Sequence, residues 1–329
     1  MTNNLRTWTR PFFALAVIAL ALACNSAHAQ TTLTGEWTAS IAQENDNPEQ
    51  SEQSGEKSWK DKSWKKRTTD GLNLNMERRT ERGHSNMGQT YDFSELQGLT
   101  REQVLAGGPV RFSLVREAGT VEFEGSFRNG RGSGTYSFNG NPSFVSAMKS
   151  RGFDFEESAR RRDEREPEDR QFAAAVLGVT TALADDLLSA DFGKLDVDDL
   201  FKAAIFKIDS KFMREMKASG FPGLRMEELV KARIFKIDAE FLRQAAQMGF
   251  DKESFESLVK MRIFKVTPEF VAEVKNEGLN NLTVEDLVKM RIFKIDAEFI
   301  RRAKADGVPL EVEELVQQRI GVRRRSKYQ

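Results

Sequence analysis

The sequence predicts an α+β protein in which a small antiparallel β-sandwich or barrel precedes an α-solenoid of about five 29-residue helix-turn-helix repeats. Short segments with alternating apolar residues fill the first half of the chain, and a period of two is typical of half-buried strands. The second half repeats itself every 29 residues, which is typical of stacked units that share one core. A length of 329 residues allows about two domains.

Residues 1–29 have the parts of a secretory signal peptide. Two arginines precede an apolar run of 13 residues, and Ala-His-Ala at 27–29 matches the small-x-small cleavage pattern. The run is short for a helix that spans a membrane. We therefore expect a periplasmic or secreted protein whose mature chain begins at Gln30. Cys24 leaves a lipoprotein as the alternative, although alanine stands three positions before it, where leucine is usual.

Residues 31–152 form the predicted β-module. A hairpin turn is expected at Asn129-Gly130-Arg131-Gly132, and a short helix is expected to start at Thr100. A second short helix is expected at 143–152. Strands are expected within 31–41, 72–76, 109–116, 120–127 and 134–138.

Two segments around this module carry no apolar period. The insertion 43–70 is almost wholly polar, and residues 153–171 read as a linker rich in charges of both signs. We expect the β-module and the repeats at 172–322 to fold separately, followed by a basic tail at 323–329.

The first helix of each repeat unit has clear end signals. It starts at an N-cap residue, whose oxygen can accept a free backbone N–H, and in four units it stops at a glycine. The units are 176–204, 205–233, 234–262, 263–291 and 292–319, their N-caps are Thr180, Asp209, Asp238, Thr267 and Asp296, and the glycines are Gly220, Gly249, Gly278 and Gly307.

The second helix is clearest in the fourth unit, where Thr283 and Asp286 resemble a capping box. Apolar residues are spaced for a buried stripe, and stacking would bury that stripe against the next unit. The predicted stripes are Leu287, Val288, Ile292 and Phe293, then Leu229, Val230, Ile234 and Phe235, and then Leu258, Val259, Ile263 and Phe264.

Several motifs resemble those of exported bacterial proteins in which a β-module precedes short, Gly-terminated helical repeats. They are Lys-Val-Thr-Pro-Glu-Phe-Val at 265–271, Ser-Glu-Leu-Gln-Gly-Leu at 94–99, Gly-Thr-Val-Glu-Phe-Glu-Gly at 119–125 and Gly-Ser-Gly-Thr at 132–135. The same repeats resemble the extracytoplasmic tails of β-lactam-sensor-type membrane metallopeptidases. The resemblance implies architecture and export, with no established activity. This chain has no His-Glu-x-x-His motif, so the resemblance implies no protease activity.

The composition argues against several kinds of active site. Equal numbers of basic and acidic residues, 50 each, argue against a nucleic-acid binder. One cysteine excludes a disulfide framework and a thiolate metal cluster. His84 is the only histidine after the signal peptide, and no nucleophile or metal-ligand motif accompanies it. We expect no enzyme activity, no metal and no cofactor.

Two basic features are candidate partner-binding sites. Trp59 and Trp64 stand among cations that include Lys65 and Lys66, as at a surface for an anionic membrane or polymer, although a solvated loop is the plainer interpretation. Cations also recur every 29 residues, and their plainer role is to complement helix C-termini and to pair with acids. These are Lys207, Lys236, Lys265 and Lys294, with Arg233, Arg262 and Arg291.

We therefore expect an exported, non-enzymatic interaction or scaffold protein that binds a protein or a cell-envelope polymer through its repeat surface. No nucleic-acid partner is expected, and peripheral contact with a membrane is compatible with the basic features. One alternative is an accessory or sensor component of an envelope signalling system, which only the resemblance implies. Another is a hydrolase with an unrecognised carboxylate site.

Overall fold

The computed structural model describes residues 32–42, 71–80, 83–156 and 167–321. The predicted signal peptide with Cys24, the insertion 43–70 and the basic tail 323–329 lie outside the described residues. So do residues 157–166 of the predicted linker.

In the described residues, seven strands form a single antiparallel sheet. The two edge strands do not pair with each other, so the sheet is open, and the predicted sandwich or barrel is wrong. Helices rather than a second sheet cover the apolar face, and one edge strand has only two residues. In sheet order the strands are β3 (Gly83–Asp92), β2 (Gly71–Thr80), β1 (Leu33–Ile41), β7 (Arg131–Gly140), β6 (Gly119–Arg128), β5 (Gly108–Arg116) and β4 (Leu96–Gln97).

The strands predicted from alternation are confirmed as β1, β2, β5, β6 and β7. The predicted hairpin turn is also present: Arg128 pairs with Arg131, and Asn129 and Gly130 both have positive φ, as a two-residue type I′ turn requires. The sequence does not predict β3, because its residues are polar and small and only Tyr91 among them is buried. An edge strand with one buried side chain has no apolar alternation to detect.

Trp37 lies at the centre of the apolar face of the sheet. Its ring meets Phe112 edge-on, with centroids 5.5 Å apart, and its indole N–H donates to the Glu124 carbonyl at 3.2 Å. A side chain at Gly125 would collide with the indole, so this close contact requires glycine. The opposite face is polar and lies toward solvent, as is common for an antiparallel sheet.

Three helices accompany the sheet: α1 (Arg101–Ala106), α2 (Pro142–Lys149) and α3 (Pro167–Leu177). The first two confirm the short helices predicted from the sequence, and Thr100 caps α1 as expected. The apolar residues of α3 pack across β3, β6 and β7, where Phe172 stacks on Tyr136 with ring centroids 5.3 Å apart. The Tyr91 hydroxyl also donates to the Val176 carbonyl at 2.9 Å.

Paired helices follow α3, and the predicted N-caps of all first helices are confirmed. Gly220, Gly249, Gly278 and Gly307 have positive φ where these helices end. The first helices are α4 (Thr181–Leu188), α6 (Ser210–Ala218), α8 (Ala239–Gln247), α10 (Pro268–Asn276) and α12 (Ala297–Ala305). The second helices are α5 (Val197–Phe206), α7 (Met226–Ile234), α9 (Phe255–Ile263), α11 (Val284–Ile292) and α13 (Val312–Arg319).

Helices of one kind pack beside each other. Among the second helices, α5 packs on α7 and α11 packs on both α9 and α13; among the first helices, α4 packs on α6 and α10 on α12. The protein is therefore α+β, with an antiparallel sheet followed by repeated helices.

Both described ends of the predicted linker pack against the rest of the chain. Phe153 and Phe155 are buried, and Phe155 meets Phe201 of α5 edge-on at 6.1 Å. Arg170, within α3, is buried as well. One continuous cluster of buried side chains joins the sheet to the repeated helices. Separate folding of the two parts stays a prediction.

Candidate interaction surface on the repeated helices

The buried stripe of the second helices differs from the one predicted. Leu287 and Val288 are buried as expected, but Ile292 is 51% exposed and Ile234 is 44% exposed. Met261 and Met290 complete the stripe instead. The apolar period continues into the helix end, beyond the buried part of the helix, so the periodicity overestimates the length of the buried face.

The arginines of the predicted ladder, Arg233, Arg262 and Arg291, bind within the chain, and Arg319 of the last unit binds in the same way. Each one donates to a backbone carbonyl at the end of the preceding second helix, and these free carbonyls attract cations. The bonds are Arg233 Nη2 to Lys207 O at 2.7 Å, Arg262 Nη2 to Lys236 O at 2.7 Å, Arg291 Nε to Phe264 O at 3.0 Å and Arg319 Nε to Phe293 O at 3.0 Å.

The same arginines stack on the phenylalanine of the first helix in their own unit. The guanidinium carbons lie 3.7 Å from the ring centroid of Phe212, 4.4 Å from Phe241, 4.8 Å from Phe270 and 5.0 Å from Phe299. Burial lowers the pKa of the Arg233 guanidinium. Cation–π contact and carbonyl binding together give these arginines a role within the fold.

A second ladder, which the sequence analysis missed, joins neighbouring second helices. A lysine of one unit pairs with a glutamate of the next, and the hydrogen bonds from Lys202 and Lys260 lower the pKa of Glu227 and Glu285. The sequence signal for this ladder is a lysine and a glutamate that recur in successive units, about 25 residues apart. The Nζ–Oε distances are 3.0 Å for Lys202–Glu227, 2.5 Å for Lys231–Glu256, 3.0 Å for Lys260–Glu285 and 3.0 Å for Lys289–Glu313.

The recurrent lysines predicted as a partner-binding ladder are all exposed, and all have left-handed backbone. Glycine usually fills this position after a helix, because a side chain there costs about 1–2 kcal/mol. The φ values are 53° for Lys207, 54° for Lys236, 54° for Lys265 and 52° for Lys294.

The first unit has glycine at the equivalent position. Gly178 has φ 70°, and the next N–H, that of Val179, donates to the Ala174 carbonyl at 2.9 Å. The same turn occurs after α9, where the Val266 N–H donates to the Met261 carbonyl at 2.8 Å. One turn is therefore built with glycine in the first unit and with lysine in the other four.

Isoleucine recurs two residues before these lysines. Ile234 and Ile292 are half exposed, and Ile205 and Ile263 are partly buried. In the first unit the equivalent Val176 is buried. We call three of the isoleucines and the lysines beside them the Ile–Lys edge: Ile234, Ile263 and Ile292 with Lys236, Lys265 and Lys294.

The edge is retained although other exposed positions change from unit to unit. One position near the end of the first helix reads Ala218, Gln247, Asn276 and Ala305, all exposed. The other retained positions have structural roles: the phenylalanines form the core, the arginines bind carbonyls, and the Lys–Glu pairs join units. Ile234 and Ile292 and the side chains of Lys265 and Lys294 are exposed, which makes them the candidate binding positions of the edge.

Of the other predicted site residues, Trp59, Trp64, Lys65 and Lys66 lie outside the described residues. Lys207 belongs to the recurrent lysines but lines a cavity shared with Gln89 and Tyr91 of β3, so it lies next to the sheet.

The polar face of the sheet lines a cavity of about 970 Å³. Two of its glutamates are paired with arginines, Glu124 with Arg111 at 2.9 Å and Glu77 with Arg79 at 2.8 Å. The His84 Nδ1 lies 3.4 Å from Glu77. The Arg111–Glu124 pair joins β5 to β6, and the Arg79–Glu77 pair lies within β2, as is common on an exposed sheet.

Two further observations concern the described residues alone. They contain no group of three or more His, Cys, Asp or Glu that could hold a metal ion. None of their helices is long and apolar enough on its own to span a membrane, whereas α3 and α4 together reach that length but meet at an 87° bend.

Comparisons with protein-family models, with curated proteins and with solved structures find no match to this chain. The resemblance to exported repeat proteins therefore stays a prediction from the sequence.

Proposed function

We propose that this chain is an exported, non-enzymatic interaction protein whose repeated helices form an α-solenoid of five 29-residue units that binds a protein partner along the Ile–Lys edge. The side-by-side packing of like helices supports the solenoid. The same caps, carbonyl contacts and ion pairs recur in successive units, which supports the solenoid as well. Each unit then contacts its neighbours and leaves one edge open to a ligand.

The use of lysine where glycine is the better backbone residue is the observation on which the proposal rests. Gly178 occupies this turn in the unit that packs on the sheet, and lysine occupies it in the four other units. Left-handed backbone at non-glycine residues is uncommon and is enriched at functional sites. The half-exposed Ile234 and Ile292 beside two of these lysines add apolar surface at the same edge.

A site-specific cross-link tests this function. A photoreactive amino acid at Ile292 should form an adduct with a protein partner in living cells, and the same group at Gln247, an exposed residue at a position that varies between units, should not. Adding Lys294→Gly should remove the adduct at 292. Equal adducts at both positions, or none at 292, would contradict the proposal.

Export is a separate part of the proposal and has its own measurement. The positively charged start, the apolar run and the Ala-His-Ala site support a mature N-terminus at Gln30. Mass spectrometry of the protein from the periplasm or the medium should find that terminus. A lipid-modified Cys24 at the terminus would instead place the protein on a membrane.

Two alternative functions predict different results. A sensor accessory of an envelope signalling system would give a cross-link to a membrane protein at the same edge. A hydrolase would require the glutamates of the sheet, such as Glu36 and Glu122 in the cavity on the polar face. Glu36→Gln and Glu122→Gln should leave partner binding unchanged if the Ile–Lys edge is the site.

A further inference from the structure

A cavity of about 350 Å³ lies on the Ile–Lys edge between the fourth and fifth units. Ile263, Phe264, Met290 and Ile295 line one part of it, and Lys265, Arg291, Lys294 and Asp296 line the rest. Met290 and Ile295 are fully buried, so Ile263 and Phe264 supply the apolar surface that a ligand can reach. The site therefore combines a small apolar surface with the side chains of two lysines.

The other charged groups of this cavity are already engaged within the chain. Arg291 Nε donates to the Phe264 carbonyl at 3.0 Å, and Asp296 Oδ1 accepts the Phe299 N–H at 2.8 Å as an N-cap. Glu298, in the first turn of α12, lies 3.7 Å from Arg302. A ligand that enters the cavity therefore meets the positive charge of the two lysines.

The complementary ligand has acidic and apolar groups on one face. A carboxylate matches each ammonium group, and an aliphatic side chain matches the apolar surface of the cavity and the exposed Ile292. A second copy of this chain is a poor fit, because its edge would bring lysine against lysine. A nucleic acid would leave the isoleucines without an apolar partner.

A bilayer surface fits less well than a peptide. It cannot enter a cavity of 350 Å³ between two units, and the exposed isoleucines are only about half exposed rather than projecting. An acidic peptide can place one side chain in the cavity and its carboxylates beside the lysines.

The spacing of the units favours a helical peptide. Neighbouring helices pack with axes about 8–10 Å apart, so equivalent edge residues recur at about that distance. Seven residues of an α-helix rise about 10.5 Å, close to this spacing. Side chains on the same face of an extended strand recur about every 6.6 Å, which does not match it.

We infer that the Ile–Lys edge binds an amphipathic helix whose acidic and apolar residues recur at heptad spacing, with a side chain seated in the cavity between Lys265 and Lys294. This inference rests on the proposed function and gives the partner its chemistry. It uses the helix-in-groove mode of peptide recognition.

A designed helix of about three heptads, with Leu and Glu at matching heptad positions, is the probe. Fluorescence anisotropy should detect binding to the full mature chain, and binding should weaken as salt rises. The double variant Lys265→Gly with Lys294→Gly should lower the affinity about tenfold. Ile292→Ser should lower it too, whereas Lys275→Ala, at an exposed lysine of α10, should not.

Three results would overturn the inference: no binding of the Leu/Glu helix, equal binding of a helix with Lys in place of Glu, or equal affinity of the double lysine variant. Vesicles of anionic lipid serve as the rival probe, and binding of vesicles with the same lysine dependence would replace the peptide with a membrane. The cross-link at Ile292 distinguishes failure of the inferred helical ligand from failure of the proposed function. If it persists while the acidic helix fails, the function stands with a partner of other chemistry, and if it is absent the function fails as well.

Discussion

The third residue of each repeat unit is Gly178 in the first unit and lysine in the other four, on the same left-handed backbone. The first residue of each unit differs in the same way. Val176 is buried, and its carbonyl accepts the Tyr91 hydroxyl of the sheet, whereas Ile234 and Ile292 are half exposed. The first unit therefore uses this edge for packing on the sheet. The later units keep the same backbone but carry lysine and isoleucine there, and the experiments below separate a role in folding from a role in binding.

The core phenylalanines should show the largest effect. Phe241→Ala or Phe270→Ala removes a buried ring together with its arginine contact, and we expect a loss of about 3–5 kcal/mol in the free energy of unfolding. Thermal and urea denaturation of the mature chain measure it. Phe299→Ala is the matched control with a smaller loss, because Phe299 is only partly buried and lies in the last unit. Equal losses at all three positions would contradict this ranking.

The arginine ladder should come next. Arg262→Ala removes the bonds to the Lys236 carbonyl and the contact with Phe241, and we expect a loss of about 2 kcal/mol. Arg262→Lys should not restore the stability, because an ammonium group lacks the planar fork that bonds the carbonyl while stacking on the ring. Urea denaturation of both variants decides this. If Arg262→Ala were as stable as the parent chain, the arginines would have no such role in the fold and would be available to bind a partner.

These two effects concern features that the sequence predicted to different extents. The helix caps, the period and the phenylalanine positions follow from local rules, because Asp or Thr before an apolar run and Gly after it act within one helical turn. The arginine contacts connect residues 26 apart, so they depend on how one unit stacks on the next. Periodicity identified the arginines as a ladder but did not reveal their partners.

The sheet and the edge show two other limits of prediction. Alternation predicts a strand only where one face is buried, so it found β1 and β6 but missed β3 at the edge. It also cannot tell whether a second sheet or a helix covers the apolar face, and here α3 with Phe172 takes that place. The left-handed φ of Lys265 was missed for a related reason, because glycine, not lysine, is the usual signal for that turn.

The Lys–Glu ladder should produce a modest dependence of stability on pH. Hydrogen bonds lower the pKa of Glu227 and Glu285 below the ordinary value of 4.5, and those from Ser210 lower the pKa of Asp186 below 3.8. Because the folded values lie below the unfolded ones, their contribution is present above about pH 4.5 and is lost as pH falls through the folded pKa. Urea denaturation from pH 7 to pH 3 should therefore show falling stability below pH 4.5.

A paired variant identifies the groups responsible. Glu227→Gln with Glu285→Gln should reduce the slope below pH 4.5, because the glutamines do not titrate. Glu273→Gln, at an exposed glutamate of α10 outside the ladder pairs, is the comparison for the loss of a carboxylate. An unchanged slope in the paired variant would assign the acid sensitivity to other carboxylates, with Asp186 the first to replace by asparagine.

The smallest effect on stability should come from the position that separates the two regions. Lys265→Gly gives the fourth unit the residue that the first unit has, and it relieves about 1–2 kcal/mol of left-handed strain. Against this gain stand about 1 kcal/mol for the greater freedom of glycine in the unfolded chain and a few tenths for the lost cation at the helix end. We therefore expect urea denaturation to place Lys265→Gly within about 0.5 kcal/mol of the parent chain, on either side. The reverse change, Gly178→Lys, has the same nearly cancelling contributions with opposite sign, and it also brings a second cation toward Arg116, whose Nε would lie 4.0 Å from the new Cβ. We therefore expect it to lose about 0.5–1 kcal/mol. A large loss in the free energy of unfolding for Lys265→Gly would show that the lysine stabilises the fold. The proposal that the Ile–Lys edge binds a partner would then fail.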